Sequence, residues 1–348
     1  MKNIYMAALF AIPSIVIAQN ASYSTRSSKR GLVYVPSSDN PTDDDIWTKN
    51  GSDLTWYYNY QYYPSASFIN DTSLEFIPML WGAPSSTDDT TFRTNVTEQI
   101  LGGANITYAM GFNEPDGTNA YGGSNVDPDL AAEIWIRELE PLRKLGVTLG
   151  APAVTGGSEG WAWLQKFFTA CAGQCTAEFI PVHWYGNFDG LSSHIEDIES
   201  VYSNMTIWVT EYALNNASLT ETQEFFKTSA EYFDSHDNIS HYSYFGSFRS
   251  DVSNVGANVA MLTSDGLLTD IGSWYLGGTD TGNIPSSEPA TKTAATSSRT
   301  SATTVPTTTW TIPTSAAIST TAQQNHGILG ATGFLFLFEL LSWFYMSI

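Results

Sequence analysis

The sequence is poor in basic residues. Lysine and arginine together number 14 among 348 residues, against 35 aspartates and glutamates, and the formal net charge is -21. So acidic a chain repels phosphate backbones, and we expect no nucleic-acid partner. The five histidines are scattered, and the sequence contains neither a His-Glu-x-x-His motif nor an Asp-rich calcium loop. It therefore predicts no metal and no cofactor.

Cysteine is equally scarce, with Cys171 and Cys175 as the only two. In an oxidising compartment the simplest prediction for so close a pair is one local disulfide. Metal binding is the alternative, but no cluster of further histidines or cysteines accompanies the pair.

The first residues carry a targeting pattern. Residues 1–18 have a basic start, an apolar run and a small residue at the end, which is typical of a secretory signal peptide. A short segment, 19–30, follows. It ends in Lys29-Arg30, which is either a processing site or the entry to the first strand.

The last 70 residues differ sharply in composition from the rest. Residues 279–326 are rich in Ser and Thr with almost no large apolar residues, which predicts a disordered, O-glycosylated stalk. Residues 327–348 are apolar and read as a GPI-anchor signal, with Ser315 as the anchor site and Asn325 as the alternative. A retained transmembrane helix is disfavoured because Glu339 would cost about 2.5–3.5 kcal/mol in mid-membrane.

Asn-x-Ser/Thr sequons also fit a secreted protein of the cell surface, anchored at the plasma membrane or the wall. Asn105 stands at a strand entrance and is not expected to be modified. The expected glycosylation sites are Asn50, Asn70, Asn95, Asn204, Asn216 and Asn238.

Residues 31–278 have the length of one (β/α)8 TIM barrel, an α/β fold. Eight short apolar runs predict strands buried on both faces, with helical patterns between several of them. A doubly wound open sheet is the second choice, since no glycine-rich phosphate loop follows an early strand. The predicted strands are 31–35, 56–60, 75–81, 106–114, 148–154, 179–185, 207–214 and 241–248. The predicted helices are Asp129–Leu145, Trp161–Ala172, Ser192–Tyr202 and Ser218–Phe233, the last with a Ser218/Glu221 capping box.

Two glutamates stand where a barrel enzyme places its chemistry. Glu114 closes the fourth predicted strand and Glu211 the seventh, whereas Glu75 opens its strand and falls at the wrong end. Glycoside hydrolysis needs two carboxyls flanking one bond, one held protonated and one ionised. The alternative is that each glutamate is a buried ion-pair partner, but basic partners are scarce in this chain.

Aromatic residues are abundant, with 11 Trp and 18 Tyr. Aromatic rings stack on the apolar faces of sugars, although most such residues simply fill cores. Trp81 ends the third predicted strand and Trp184 the sixth, so either is a candidate sugar platform or a packing residue.

Four motifs together resemble glycoside hydrolase family 128, the alkali-sensitive linkage protein-like endo-β-1,3-glucanases of the retaining (β/α)8 superfamily. They are Lys29-Arg30-Gly31-Leu32, Gly111-Phe112-Asn113-Glu114-Pro115-Asp116, His183-Trp184-Tyr185-Gly186 and Thr210-Glu211-Tyr212.

This resemblance implies that Glu114 is the acid/base and Glu211 the nucleophile. A nucleophile has to stay ionised, so we expect an ordinary or lowered pKa for Glu211. The resemblance also implies that Asn113 binds the sugar 2-hydroxyl; the alternative is a turn residue before Pro115. On barrel geometry His183 and Tyr185 can reach Glu211 and keep it ionised by hydrogen bonding, and a satisfied core histidine is the alternative for His183. The remaining candidate substrate-binding residues are Trp81, Trp184, Tyr212 and Phe245; Phe245 or Tyr244 would replace a tryptophan common at the eighth strand of the superfamily.

The function expected is hydrolysis of β-1,3-glucan in the cell wall by a GPI-anchored monomer. A non-catalytic glucan-binding or wall-structural protein on the same barrel is one alternative. A transglycosylase is another, and it would use the same glycosyl-enzyme intermediate.

Overall fold

Eight parallel strands form the centre of the molecule. The computed structural model describes residues 26–288 apart from 50, 70, 72 and 87, and these fall within one compact unit. The strands are β1 (Gly31–Val33), β2 (Trp56–Tyr58), β3 (Glu75–Phe76), β4 (Tyr108–Met110), β5 (Thr148–Gly150), β6 (Phe179–Trp184), β7 (Thr206–Tyr212) and β8 (Ile239–Tyr244). Each begins within two residues of its predicted start.

The strands close into a barrel. β1 to β3 pair in sequence order, and so do β4 to β8. A parallel bridge between Met79 and Met110 connects the third strand region to the fourth, and one between Arg30 and Tyr242 connects the first to the eighth. The predicted (β/α)8 barrel is therefore confirmed.

Helices cover the outside of the barrel. They are α1 (Asp44–Trp47), α2 (Thr91–Leu101), α3 (Pro128–Glu138), α4 (Ser158–Ala170), α5 (Phe188–Val201), α6 (Leu219–Ser235) and α7 (Asp270–Tyr275). Short 3-10 turns lie at Pro41–Asp43, Asn119–Tyr121, Glu140–Leu145, Ser250–Val252 and Ala257–Val259. None of the helices among the described residues is long and apolar enough to cross a membrane.

The single helix predicted over Asp129–Leu145 is wrong in its second half. The structure has α3 followed by the 3-10 turn Glu140–Leu145. Pro141 lacks the N–H that an α-helix would require there, so the helix cannot run through it. By contrast, the Ser218/Glu221 capping box predicted for α6 is present and satisfies both backbone amides at its start.

Side chains of the strands alternate between the barrel interior and the helix layer. Trp56 and Tyr58 of β2 belong to an interior cluster, whereas Tyr57 between them packs outward with the main core. Gly31 makes room for the Trp56 ring, because a Cβ on Gly31 would lie 2.0 Å from it. The interior is thus a packed aromatic core and not a channel.

The floor of the barrel, at the N-terminal ends of the strands, is held by Arg30. Its side chain is fully buried and contacts the Tyr242 hydroxyl at 2.9 Å and Asp53 at 3.1 Å. Lys29 donates to three carbonyl groups at the end of α6, which matches the preference of helix C-termini for cations. In the folded chain this basic pair is the entry to the first strand.

Several predictions concern modification and processing. Cys171 and Cys175 form the predicted disulfide. Asn204 and Asn216 are exposed, whereas the amides of Asn95 and Asn238 donate to backbone carbonyls. The start predicted for the stalk, at residue 279, is wrong: Trp274 donates to Asp280 at 2.7 Å and the Ser286 N–H donates to Ser250 at 3.1 Å, so residues 279–288 still pack on the barrel. The signal peptide, Asn50, Asn70, residues 289–326 of the stalk, Ser315 and the apolar terminus lie outside the described residues and stay predictions.

Candidate active site

Glu114 is placed at the mouth of the barrel by an unusual backbone conformation. It lies four residues beyond β4 with a φ of 40°, in the left-handed region. Its N–H donates to the Ala153 carbonyl at 2.6 Å, and its carbonyl accepts from the Gly117 N–H at 2.8 Å. Hydrogen bonds on both sides of the residue therefore fix this backbone conformation. Such conformations cost about 1–3 kcal/mol and concentrate at functional sites.

Glu211 reaches the same place through a break in the strand pairing. Val182 pairs with Val209, but His183 pairs with Glu211, which leaves Thr210 as an extra residue. Bulges of this kind redirect side chains next to active sites. Without it, Glu211 would follow the alternation out of the barrel.

The bulge is held by two side chains from neighbouring strands. Tyr58 and Ser243 both donate their hydroxyls to the Thr210 carbonyl, the Tyr58 bond measuring 3.1 Å. A carbonyl that the sheet leaves unpaired is thereby satisfied inside the barrel.

Glu114 and Glu211 meet around His183. One carboxylate oxygen from each and the Nδ1 of His183 lie within 4.8 Å of one another. His183 Nδ1 is 2.9 Å from Glu114 Oε1 and 3.5 Å from Glu211 Oε2. These atoms are a set that a metal ion could bridge, but hydrogen bonds within the site already occupy them.

Two tyrosines donate to the two oxygens of Glu211. The Tyr60 hydroxyl is 2.7 Å from Oε1 and the Tyr185 hydroxyl is 2.6 Å from Oε2. Tyr185 therefore makes the bond to Glu211 predicted for it, whereas His183 makes its shorter contact with Glu114.

Tyr60 was not predicted, and Tyr58 was not either. A signal existed, because residues 56, 58 and 60 share one face of a strand and are all aromatic. What the sequence does not reveal is that Tyr60 also has a φ of 62°, which turns it beyond the end of β2 and into the mouth.

Burial controls the protonation of this site. Burial raises the pKa of Glu211 above its ordinary 4.5; His183 opposes this, Glu114 adds to it, and the bonds from Tyr185 and Tyr60 oppose it. The expectation of an ordinary or lowered pKa for Glu211 is therefore wrong. The reason is that desolvation of a carboxylate outweighs two hydroxyl bonds and one imidazole.

The partners of Glu211 are affected as well. Burial lowers the pKa of His183, but the charges of Glu211 and Glu114 and the hydrogen bond with Glu114 bring it above 6.5. Burial and the charge of Glu211 raise the pKa of Tyr60 and Tyr185 well above 10.0, so both remain hydroxyl donors.

Two of the predicted aromatic residues lie at the mouth. Trp81 and Phe245 are half-buried and pack against the interior cluster. The Phe245 ring is 5.6 Å from that of Tyr185, edge to face. These surfaces adjoin the carboxyl pair and are suited to the face of a sugar.

Tyr212 and Trp184 were wrongly assigned to the site. The Tyr212 ring packs outward, 4.9 Å from Phe233 of α6. Trp184 donates to the Asn187 carbonyl, and its ring is 5.3 Å from His194 of α5. Each follows an inward-facing residue in its strand, and alternation turns it to the helix layer.

Tyr244 faces outward in the same way, with its ring 5.4 Å from that of Phe226 on α6. Asn113 is buried, and its Nδ2 donates to the Gly122 carbonyl at 3.1 Å. Its Oδ1 is left without a partner among the described residues. The amide thus ties down the loop after Glu114, which fits the alternative of a turn residue before Pro115.

Comparison with known proteins identifies the family. A family model described as the glycosyl hydrolase catalytic core matches residues 31–275. The chain belongs to this family. Alkali-sensitive linkage protein 1 of Schizosaccharomyces pombe is 31% identical over 262 residues, which is 73% of this chain and 45% of that protein. The chain thus spans about half the length of this curated relative.

Solved structures confirm the predicted membership in glycoside hydrolase family 128. A subgroup II endo-β-1,3-glucanase from Sorangium cellulosum is 26% identical with a TM-score of 0.59, covering 73% of this chain and 99% of its own. A subgroup III curdlan-specific exo-β-1,3-glucanase from Blastomyces gilchristii, in complex with glucose, is 25% identical with a TM-score of 0.58, covering 72% and 99%.

Proposed function

We propose that this member of the glycosyl hydrolase catalytic core family is a retaining β-1,3-glucanase, with Glu114 as acid/base and Glu211 as nucleophile. The observation that carries the proposal is the approach of one oxygen of each carboxyl within 4.8 Å at the barrel mouth. Retaining enzymes space their carboxyls by about 5–5.5 Å, whereas inverting enzymes need about 6.5–9.5 Å to admit a water molecule.

In the first step, a Glu211 oxygen attacks the anomeric carbon while Glu114 donates its proton to the glycosidic oxygen. The C–O bond breaks, the leaving sugar takes the proton, and a glycosyl ester forms on Glu211. His183 donates through Nδ1 to Glu114 Oε1, which leaves Oε2 to transfer the proton.

In the second step, water replaces the leaving sugar. Glu114, now ionised, takes a proton from the water as its oxygen attacks the anomeric carbon, and the ester to Glu211 breaks. Tyr60 and Tyr185 stabilise the carboxylate that departs, because hydroxyl bonds to a charged oxygen strengthen as the charge returns.

The proposed specificity for the β-1,3 linkage is inferred from the two solved relatives. Both solved relatives above are described as β-1,3-glucanases, one endo-acting and one exo-acting, and one of them holds glucose. The signal peptide, stalk and apolar terminus of the sequence support a secreted enzyme, held by a GPI anchor against the glucan of a cell wall.

A digest of β-1,3-, β-1,4- and β-1,6-glucans by the purified protein, with products sized, tests the proposal. We expect reducing sugar from the β-1,3-glucan and not from the other two. Products longer than the substrate at high oligosaccharide concentration would show transfer in place of hydrolysis.

Glu211→Gln is the matched control for the digest. It keeps the shape of the side chain, so it should bind β-1,3-oligosaccharides while turnover falls by about 10⁴-fold or more. Near-normal turnover by Glu211→Gln, or cleavage of the β-1,4- or β-1,6-glucan alone, would contradict the proposal.

A further inference from the structure

The loop that follows Glu114 presents an aromatic side chain to solvent. Tyr121 ends the 3-10 turn Asn119–Tyr121 and is 88% exposed, more than any other large hydrophobic side chain in the described part of the chain. Single exposed aromatic residues need no explanation by themselves. Tyr121 does need an explanation, because of its position in the fold and because of the way its loop is built.

The loop is fixed directly to the residues around the acid/base. Ser124 donates its N–H to the Asn113 carbonyl at 2.9 Å, and Gly123 donates to Thr118 at 3.1 Å. Gly123 packs so closely that an added Cβ would lie 2.5 Å from the Gly117 carbonyl. No side chain fits there, so the loop is folded tightly on itself.

The same contacts place Tyr121 near Glu114. The side-chain Nδ2 of Asn113 donates to the Gly122 carbonyl at 3.1 Å. Asn113 directly precedes Glu114 in the chain, and Gly122 directly follows Tyr121. The Ser124 N–H is also 3.2 Å from the Glu114 carbonyl, and consecutive Cα atoms are about 3.8 Å apart, so the backbone that carries Tyr121 lies beside the backbone of Glu114.

We propose that Tyr121 forms a leaving-group-side subsite, in which its ring stacks on the glucosyl residue that departs from the scissile bond. The inference rests on the proposed function. Glu114 gives its proton to the leaving oxygen, so the sugar that carries this oxygen lies on the Glu114 side of the cleft. The loop of Tyr121 extends from that side. An exposed phenol ring without charge suits the apolar face of a neutral sugar.

The test compares two donors that differ in this subsite. Laminarihexaose places glucosyl residues on both sides of the scissile bond, whereas β-laminaribiosyl fluoride loses only fluoride and leaves the subsite empty. For Tyr121→Ala we expect kcat/KM on laminarihexaose to fall about tenfold, with a much smaller loss on the fluoride. Tyr121→Phe and Tyr121→Trp should retain the hexaose activity.

Leu101→Ala is the matched control. Leu101 is 75% exposed at the end of α2, on the opposite face of the barrel, and its removal should change neither reaction. A sugar acceptor added to the fluoride reaction gives a second readout, because transfer to it should also fall in Tyr121→Ala.

Equal losses on both donors, or no loss on either, would overturn the subsite. Loss in Tyr121→Phe as large as in Tyr121→Ala would overturn the stacking role as well. If the wild-type protein turns over neither donor, the proposed function fails, and the inference fails with it.

Discussion

The barrel holds a buried cluster of charged residues at each end, and the two are built in opposite ways. On the floor, Arg30 lies 3.1 Å from Asp53 and 3.9 Å from Asp234, and it also donates to backbone carbonyls. At the mouth, His183 stands between Glu114 and Glu211. At the floor, one permanently charged guanidinium is surrounded by several oxygen acceptors. At the mouth, two carboxyls share one histidine, whose charge depends on pH.

The backbone conformation also differs between the two ends of the barrel. At the mouth, Glu114 and Tyr60 have positive φ angles of 40° and 62°, and the strand pairing has a bulge at Thr210. On the floor, Arg30 continues directly into the regular pairing of β1 with β2. We infer that the floor stabilises the fold, and that part of this stability offsets a mouth arranged for chemistry.

The largest effect on stability is expected from the floor. Arg30→Met removes the donors to the Tyr242 hydroxyl and to the buried carbonyls of Trp274 and Tyr275. Asp53 keeps its ion pair with Arg26 at 2.7 Å, so the free energy of unfolding should fall by about 2–4 kcal/mol. The folded fraction should retain its kcat, since Arg30 lies at the far end of the barrel. Chemical denaturation and activity assays measure the two effects.

Arg143→Met is the control for that comparison. Arg143 pairs with Glu178 at 2.9 Å but is 41% exposed, and loss of such a surface pair should cost about 1 kcal/mol or less. If Arg30→Met cost no more than Arg143→Met, the floor would not be the stabilising end.

At the mouth, loss of a single hydroxyl should affect activity more than stability. Tyr60→Phe and Tyr185→Phe each remove one donor to Glu211, and hydrogen bonds to charged groups are worth about 1.5–3 kcal/mol. We expect kcat/KM to fall roughly 10- to 100-fold in each. Kinetics with β-1,3-oligosaccharides, together with thermal denaturation, measure both properties.

Tyr57→Phe is the matched control in the same strand. The Tyr57 hydroxyl accepts from Ser65 outside the barrel, so its loss should leave kcat/KM unchanged. An equal loss of activity in Tyr57→Phe would show that the hydroxyls act through the fold and not on Glu211.

The sequence predicted the strands of the barrel better than the details of its mouth. Strand starts were predicted well because apolar runs mark them, but the run predicted over 75–81 pairs as a strand only at Glu75–Phe76. Pro78 has no N–H to donate, which limits regular pairing there. Element type therefore follows from composition, whereas element length depends on single residues.

Glu114 and Glu211 could be found because parallel strands bring their ends to one edge. Tyr212 was misassigned and Tyr60 was missed, for a related reason. Their orientation depends on the bulge at Thr210 and on the positive φ of Tyr60, and neither has a signature in residue type. Where the backbone departs from regular geometry, the period-two alternation no longer reports which side chains meet.

The prediction with the smallest expected effect concerns Glu211. It tests directly whether the arrangement of residues at the mouth lowers the stability of the folded protein. Burial raises the pKa of Glu211, so the folded protein holds this proton more tightly than the unfolded chain does. The stability that this contributes is fully present below the unfolded value of about 4.5 and is lost as pH rises through the higher folded value.

Glu211→Gln cannot ionise and avoids that loss of stability. We expect it to be more stable than the wild type at pH 7, with a higher Tm, and the difference to be smaller at pH 4. The net direction already includes the attraction of His183, which Glu211→Gln gives up. A Tm below that of the wild type at pH 7, measured by thermal denaturation across this range, would mean that His183 and the two tyrosines stabilise the ionised carboxyl more than burial opposes it. The mouth would then stabilise the fold as the floor does.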